Sequence, residues 1–366
     1  MDKKIFAVLD AIESKGFEAY IVGGYVRDYL RGVASMDIDI ATSALPKDLN
    51  EIFSSGTNGD YGSYKIITNK YNFEITTYRE EIKYENRRPI ETNYVNNLLT
   101  DIKRRDFTIN SLCMNKEGNI IDLLNAADDI KNKKIKVIGN PKEKLTEDPL
   151  RMLRAIRFGV TLDFNIEEDI INFIKTNKQL INTLSKERIK YELECILTSK
   201  NALKGLDLLK ELNLLDILGI SYDKVIYIED LLGMWAQIEV AYDKFFCKDE
   251  KKKITAIKEL LKLGKIDNFV LFKHGLYICQ VAGRILEQPL VEINEMYENL
   301  PIKSIAEINI SADEILKLFN LKPSKIITEI YNDLKKSILN HDIINEKKVI
   351  YEYLKQKEGS YLEKTD

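Results

Sequence analysis

The chain has 366 residues, 45% of them hydrophobic and 31% charged, and 55 basic against 58 acidic side chains leave a formal charge of −3. These are globular values, which exclude global disorder, collagen and coiled coil, and at roughly 100–200 residues per domain they predict two or three domains. No apolar run approaches the ~18 residues of a membrane helix. The first residues lack a signal-peptide pattern, and four scattered cysteines without a CxxC pair predict a cytoplasmic setting with neither disulfides nor a zinc site.

Residues 4–15 carry Ile5, Phe6, Leu9 and Ile12 at helical spacing. Residues 19–22 read as a strand broken by Gly23-Gly24, 25–30 as a helix, and 36–40 as an alternating strand. Pro46 suits the first turn of a helix ending near Phe53. Further strands are predicted at 64–68, 72–78 and 120–123. Beyond about residue 140 strand signals fade, and apolar residues recur at helical spacing over 146–160, 166–175, 186–197, 201–212 and onward. The predicted fold class is α+β: an N-terminal α/β part with a mixed sheet, then an all-helical remainder. Gly219-Ile-Ser221 and Asn299–Pro301 are the predicted breaks.

Arginine is used unevenly. Lysines outnumber arginines 43 to 12, yet 11 of the 12 arginines precede residue 189. The guanidinium is a rigid bidentate fork that lysine lacks, so that half is expected to handle phosphates or base edges. Lys244 to Lys265 holds eight lysines against Asp249, Glu250 and Glu259, a local +5. That stretch reads either as a solvated helix face or as a phosphate-binding one.

Four segments carry chemistry. In Val22-Gly-Gly-Tyr-Val-Arg-Asp28 the two glycines let a phosphate approach the backbone at a helix start. In Asp37-Ile-Asp39 the carboxylates at i and i+2 share a strand face and suit Mg²⁺, including a two-metal site. Glu74, between Phe73 and Ile75, is a candidate third carboxylate. Arg104-Arg-Asp-Phe-Thr-Ile-Asn110 is dense in groups that grip phosphate and sugar; Arg105 could neutralise triphosphate charge, and Asp106 could orient an arginine or accept a ribose hydroxyl. In Glu147-Asp-Pro-Leu-Arg151-Met-Leu-Arg154-Ala-Ile-Arg157, Pro149 lies in a first helical turn and the three arginines form a ridge. Asp148 can accept from an exocyclic amine while Arg151 donates to a ring nitrogen. That pair would choose cytosine and adenine and reject uracil and guanine, whose buried polar groups would go unpaired.

Gly23-Gly24, Arg27-Asp28 and Asp37-x-Asp39 resemble the nucleotidyltransferase signature of the DNA polymerase β superfamily. With Arg104 to Asn110, Glu147-Asp-x-x-Arg151-x-x-Arg154 and Glu187-Arg-x-x-x-Glu192, the chain resembles a class II tRNA nucleotidyltransferase, a CCA-adding enzyme of the bacterial type without an HD domain. The motifs cover about residues 20–200; Ile310 to Pro323 and Ile343 to Lys348 are similar to the tail of such enzymes.

The resemblance implies a catalytic head (1–133), a nucleotide-selecting neck (134–200), and a body (201–300) and tail (301–366) that bind the tRNA acceptor arm and 3′ end. It implies Asp37 and Asp39 as ligands of two Mg²⁺ ions. Gly23, Gly24, Arg27, Asp28, Arg105, Asp106, Asn110, Asp148, Arg151, Arg154 and Arg157 would surround CTP or ATP. Glu147 would orient the selecting pair, and Glu187 with Arg188 would brace the neck. The segment Arg79–Asn93, with Arg87-Arg-Pro89, resembles the flexible loop that CC-only enzymes lack or shorten. Full CCA addition is the expected activity, with A-only addition, poly(A) synthesis and an inactive RNA-binding protein as alternatives; monomer and homodimer stay open.

Overall fold

The computed structural model describes residues 2–59, 62–85, 88–242, 245–321 and 325–362, with the backbone alone for 81–92 and 362. They fold as two compact units, Met1–Ile220 and Ser221–Asp366. The cut falls between Ile220 and Ser221, just after Gly219, which ends a short helix with φ +62°. This is where the sequence predicts a break.

The first unit opens with α1 (Lys3–Glu13), capped by Asp2 and burying Ile5, Leu9 and Ile12. A seven-stranded sheet follows, ordered β3-β4-β5-β2-β1-β8-β9. Its strands are β1 (Ala19–Val22), β2 (Asp37–Thr42), β3 (Thr57–Asn58), β4 (Ser63–Ile67), β5 (Asn72–Thr77), β8 (Cys113–Met114) and β9 (Ile120–Ile121). The sheet is mixed: β2 runs parallel to β5 and antiparallel to β1. Strand alternation sends Ile38 and Ile40 into the core and leaves Asp37 and Asp39 on the other face. Register then lines up Val22, Asp39, Glu74 and Lys65 across four strands. Asp37 lies level with Asn72 and Ile67.

Between the strands lie α2 (Gly24–Leu30) and α3 (Pro46–Ile52), the latter with Pro46 in its first turn as predicted. The segment Arg79–Asn93, which resembles a flexible loop of related enzymes, contains among its described residues two paired antiparallel strands, β6 (Arg79–Glu85) with β7 (Arg88–Tyr94). The apolar alternation Ile82, Tyr84 and Ile90, Tyr94 is the local reason. Arg87 lies outside the described residues.

Then come α4 (Leu98–Lys103), α5 (Ala126–Lys131), α6 (Pro141–Glu147), α7 (Leu150–Leu162), α8 (Glu168–Asn177), α9 (Lys186–Leu197), α10 (Ala202–Glu211) and α11 (Leu215–Leu218). The helix expected over 146–160 is divided. Asp148 is extended (φ −134°, ψ 98°) because the following Pro149 disfavours helical geometry, so α7 begins only at Leu150. A short parallel pair, β10 (Lys134–Ile135) with β11 (Asn165–Ile166), lies among these helices.

The second unit is mainly helical: α12 (Leu231–Ala236), α13 (Lys248–Leu263), α14 (Asn268–Ile285), α15 (Leu290–Glu298), α16 (Ala312–Leu318), α17 (Ile326–Leu339), α18 (Lys347–Gln356) and α19 (Glu358–Leu362). Its single tryptophan, Trp235, is buried edge-on against Phe245 and Phe246. Near the end of the chain, Asp333 accepts from Tyr353 Oη at 3.1 Å and Lys357 Nζ at 3.0 Å, and Tyr361 joins the same carboxylate. Among the described residues no helix is long and apolar enough to cross a membrane.

Close helix packing in the first unit depends on Gly205 of α10. A Cβ there would lie 2.5 Å from Ile196 Cγ2 and 3.2 Å from Val160 Cγ1. Gly205→Ala gains helix propensity but overpacks buried side chains, and we expect a net loss of about 1–2 kcal/mol in urea unfolding. An unchanged or raised midpoint would refute this packing.

Candidate active site

The strand-to-helix turn comes first. Gly23 has φ +72°, a conformation that side chains rarely adopt, and an added Cβ would sit 3.0 Å from Asp39 Oδ2. The pairing of Val22 with Asp39 causes this closeness, because it stacks the turn directly beside the carboxylate. One helical turn on, Arg27 is buried and fixed on three sides. It donates from Nε and Nη2 to both oxygens of Asp28 (3.0 and 2.8 Å) and from Nη1 to Asn110 Oδ1 (2.8 Å). Asp28 also receives Arg31 at 3.0 Å. Its oxygens are therefore engaged in orienting arginines, whereas the sequence suggested a direct nucleotide contact.

From Asn110 the hydrogen bonds continue. Its amide donates to Asp106 Oδ1 at 3.1 Å, which also accepts from the Phe107 N–H at 2.8 Å, while Asp106 Oδ2 accepts from Arg154 Nε at 2.6 Å. Of the two sequence readings of Asp106, the geometry carries the orienting one. Burial alone would raise its carboxyl, but the Arg154 guanidinium and these hydrogen bonds hold it below the ordinary range.

The three arginines of α7 do not form an open ridge. Arg151 and Arg157 are buried, and each arginine faces a carboxylate on a different element. Arg151 Nη1 binds Glu147 at 3.1 Å and the Lys144 carbonyl at 2.8 Å. Arg154 takes Asp106, and Arg157 Nε lies 3.3 Å from Glu192. Glu192 of α9 is itself buried, which raises its carboxyl despite Arg157 and Arg154. One ring also collects cations: the guanidinium carbons of Arg157, Arg154 and Arg27 lie 4.3, 5.2 and 5.5 Å from the centroid of Phe158.

The suggested selecting pair is held from two sides. Asp148 Oδ2 accepts from Arg188 at 3.2 Å, and its Oδ1 accepts from the Leu150 N–H at 3.1 Å. Arg151 is held by Glu147, as expected of an orienting residue. Arg188 reaches across from α9, but Glu187 is exposed on the first turn of that helix, its carboxyl held low by its own backbone N–H and the Ser185 hydroxyl.

Beside Asp39 opens a pocket of about 390 Å³ lined by Val22, Ser63, Lys65, Glu74, Thr76, Arg79, Arg104 and Arg105. Glu74 faces Lys65 across it at 3.9 Å. Asp37 accepts from Asn72 Nδ2 at 2.9 Å. The carboxyl of Asp39 is raised, first by burial and then by the like charges of Glu74 and Asp37, against the pull of Arg105. Such a group gains from a cation, and hard oxygen donors on one face fit Mg²⁺. Among the described residues no cluster of three or more His, Cys, Asp or Glu forms a protein-only cage. Water and substrate phosphate would therefore complete the shell of an ion on Asp37 and Asp39.

Sequence reasoning missed Asp101, Glu192 as the partner of Arg157, Lys65 and Phe158. Asp101 was legible in its spacing, three and four residues before two arginines on a helix end. Lys65 and Phe158 carry no local signal.

A glycine turn over a carboxylate pair, flanked by oriented arginines on a mixed sheet, defines a nucleotidyltransferase. Models of known families match in the same order: the poly A polymerase head domain over 19–136, the RNA- and SrmB-binding site of polymerase A over 163–220, and tRNA nucleotidyltransferase domain 2 over 245–354. A CCA-adding enzyme of Ligilactobacillus salivarius is 35% identical, with 97% of this chain and 96% of that protein covered. One of Bacillus cereus is 32% identical over 97% and 98%. The chain belongs to the CCA-adding enzyme family. Its fold is similar to the Bacillus stearothermophilus CCA-adding enzyme in complex with CTP (TM-score 0.84, 24% identity, 99% and 98% covered) and to the Thermotoga maritima enzyme complexed with tRNA (0.66, 20%, 97% and 96%).

Asp106 offers a test of the arginine network. Its folded pKa is depressed, so its contribution to stability is complete above the unfolded value of about 3.9 and is lost as pH falls through the lower folded value. Asp106→Asn leaves the half-buried Arg154 without its anion, and losing such a charge-assisted pair costs about 1.5–3 kcal/mol near neutral pH. The gap in thermal midpoint between wild type and variant should be full at pH 7 and shrink below about pH 4. A gap independent of pH would show that Asp106 is not held ionised by Arg154.

Proposed function

We infer that this chain adds CCA to the 3′ end of tRNA from CTP and ATP without a nucleic-acid template, in tRNA maturation and repair. The observation that carries the reading is the alignment of Asp37 and Asp39 on one strand face beside the glycine turn and a cation-lined pocket. The 3′-hydroxyl oxygen of the RNA bonds to the α-phosphorus of the nucleotide. The bond from that phosphorus to the bridging oxygen breaks, pyrophosphate leaves, and the hydroxyl proton is released. Two Mg²⁺ ions held by Asp37 and Asp39 would lower the hydroxyl pKa and neutralise charge on the departing pyrophosphate.

The chain's own groups do the rest. Gly23 and Gly24 admit the triphosphate to the backbone, and Arg27, Arg105, Arg154 and Arg157 carry positive charge around it. Asp28, Asn110, Asp106 and Glu192 hold Arg27, Arg154 and Arg157 in place, and Asp101 holds Arg105. Asp148 and Arg151 read the Watson–Crick edge, with Arg188 and Glu147 fixing their directions. Arg151 is anchored at both ends of its fork, and preorganised donors of this kind discriminate better than mobile ones. Glu74 is a third carboxylate in register with Asp39 that Lys65 balances until substrate arrives.

The functional parts are a head over 1–133, a neck over 134–200, a body over 201–300 and a tail over 301–366. The body lysines fit RNA phosphates: on α13, Lys253 is paired with Asp249 and Lys258 with Glu239, but Lys248, Lys251, Lys252 and Lys262 are exposed. Lys244 lies outside the described residues. Such work belongs in the cytoplasm.

The test uses purified protein, Mg²⁺ and three tRNA transcripts, one lacking CCA, one ending in CC and one complete. With CTP and ATP together we expect three, one and no additions, sized at single-nucleotide resolution. Extension of the CC-ended transcript alone would make this an A-adding enzyme, and no Mg²⁺-dependent pyrophosphate release would make it an inactive RNA-binding protein. Asp37→Ala should slow transfer by at least about 1,000-fold while nucleotide binding stays within about tenfold. Near-normal turnover would overturn the metal assignment.

A further inference from the structure

The pocket beside Asp39 has a cationic wall, and two of its arginines, Arg104 and Arg105, converge through their side chains on one hidden carboxylate, which the third, Arg79, meets through its backbone N–H. Asp101 lies in the first turn of the six-residue helix α4, and its side chain is completely buried. Its Oδ1 accepts from Arg104 Nε at 2.8 Å and from the Arg79 backbone N–H at 3.3 Å, and its Oδ2 accepts from Arg105 Nη2 at 3.1 Å. Arg79, Arg104 and Arg105 are the three arginines that line the pocket.

The arrangement has a cost. Arg104 and Arg105 are neighbours in the chain, and two guanidinium groups brought to one wall repel each other unless an anion is shared between them. Burial alone would raise the Asp101 carboxyl, but Arg105 and Arg104 outweigh it and hold the carboxyl low. Arg105 is also incompletely satisfied, for its Nε is buried without a hydrogen-bond partner. A guanidinium held in that position would relax elsewhere if released. Asp39 is the nearby alternative: Arg105 already acts on it electrostatically, and both flank the space above Gly23. Asp101 thus keeps Arg105 off the catalytic carboxylate and facing the pocket. Through Arg79, the first residue of β6, it also ties the root of the hairpin to the same wall.

We propose that Asp101 is a positioning residue that aims the guanidinium groups of Arg104 and Arg105 at a substrate phosphate group. This rests on reading the pocket as part of a nucleotidyltransferase site. The phosphate belongs either to the incoming triphosphate or to the 3′ end of the RNA, and the chemistry of recognition is the same for both.

Steady-state kinetics on the full chain separates the cases, with the CC-ended transcript and ATP varied in turn. Asp101→Asn keeps the shape and removes the charge. We expect KM for one of the two substrates to rise by about tenfold or more, the equivalent of about 1.4 kcal/mol, with kcat changed by less than about threefold. A rise for ATP assigns the wall to the triphosphate, and a rise for tRNA assigns it to the RNA; either supports the proposal. A purely structural role lowers the active fraction and hence kcat, with both KM values unchanged, and that result overturns it. If Asp101→Asn does not fold by circular dichroism, Asp101→Glu takes its place. That variant keeps the charge but displaces it by one methylene, and the same KM criterion decides. A wild-type chain that adds no nucleotide would defeat the reading of the site; an active wild type with unchanged KM in the variant defeats only this inference.

Discussion

Like charge gathered on one sheet face is the constraint on which the first unit depends. Strand alternation and parallel register place Asp37, Asp39 and Glu74 together, and the carboxyl of Asp39 is raised first by burial and then by repulsion from the other two. Under the proposed function the surroundings must leave these carboxylates available to a metal and yet supply positive charge for phosphates. Arginines close enough to serve the second need would defeat the first by pairing with the catalytic carboxylates. The structure resolves the conflict by giving arginines other anions: Asp28 for Arg27, Asp101 for Arg104 and Arg105, Asp106 for Arg154, Glu192 for Arg157 and Glu147 for Arg151.

These pairs are connected. Arg27, Asn110, Asp106 and Arg154 form one hydrogen-bonded series from α2 to α7, and Arg154 and Arg157 meet Glu192 on α9. The series joins the sheet to the helices that follow it, so the proposed phosphate and base contacts share one frame. Buried ion pairs are not an efficient source of stability, because desolvation offsets much of their attraction. Their value here is directional: a guanidinium bound on one edge presents its other edge in a fixed direction. Phe158 adds a common surface under three of them.

Much of this was legible in the chain. The carboxylate pair, the glycine turn, the arginine-rich motifs and the change from mixed sheet to helices follow from periodicity and residue type. The limits were equally physical. The sequence places Asp28 beside an arginine without saying which way its carboxylate turns, and the structure shows it engaged by Arg27 and Arg31. Helical spacing gives the α7 arginines a common face without saying which anion meets each of them. The segment Arg79–Asn93 was matched to a flexible loop by resemblance alone, and the pairing of β6 with β7 depends on a register that such a match does not supply.

The sequence by itself determined what each segment can be: which residues alternate, where glycine is needed, and which charged groups are available. These are local consequences of dihedral restriction and side-chain period. Only the tertiary structure decided the pairing. Arg157 with Glu192, Arg154 with Asp106 and Lys65 with Glu74 join residues 35, 48 and 9 positions apart through helix packing and strand register. No local rule sets such distances, because they depend on how the whole unit buries its apolar faces.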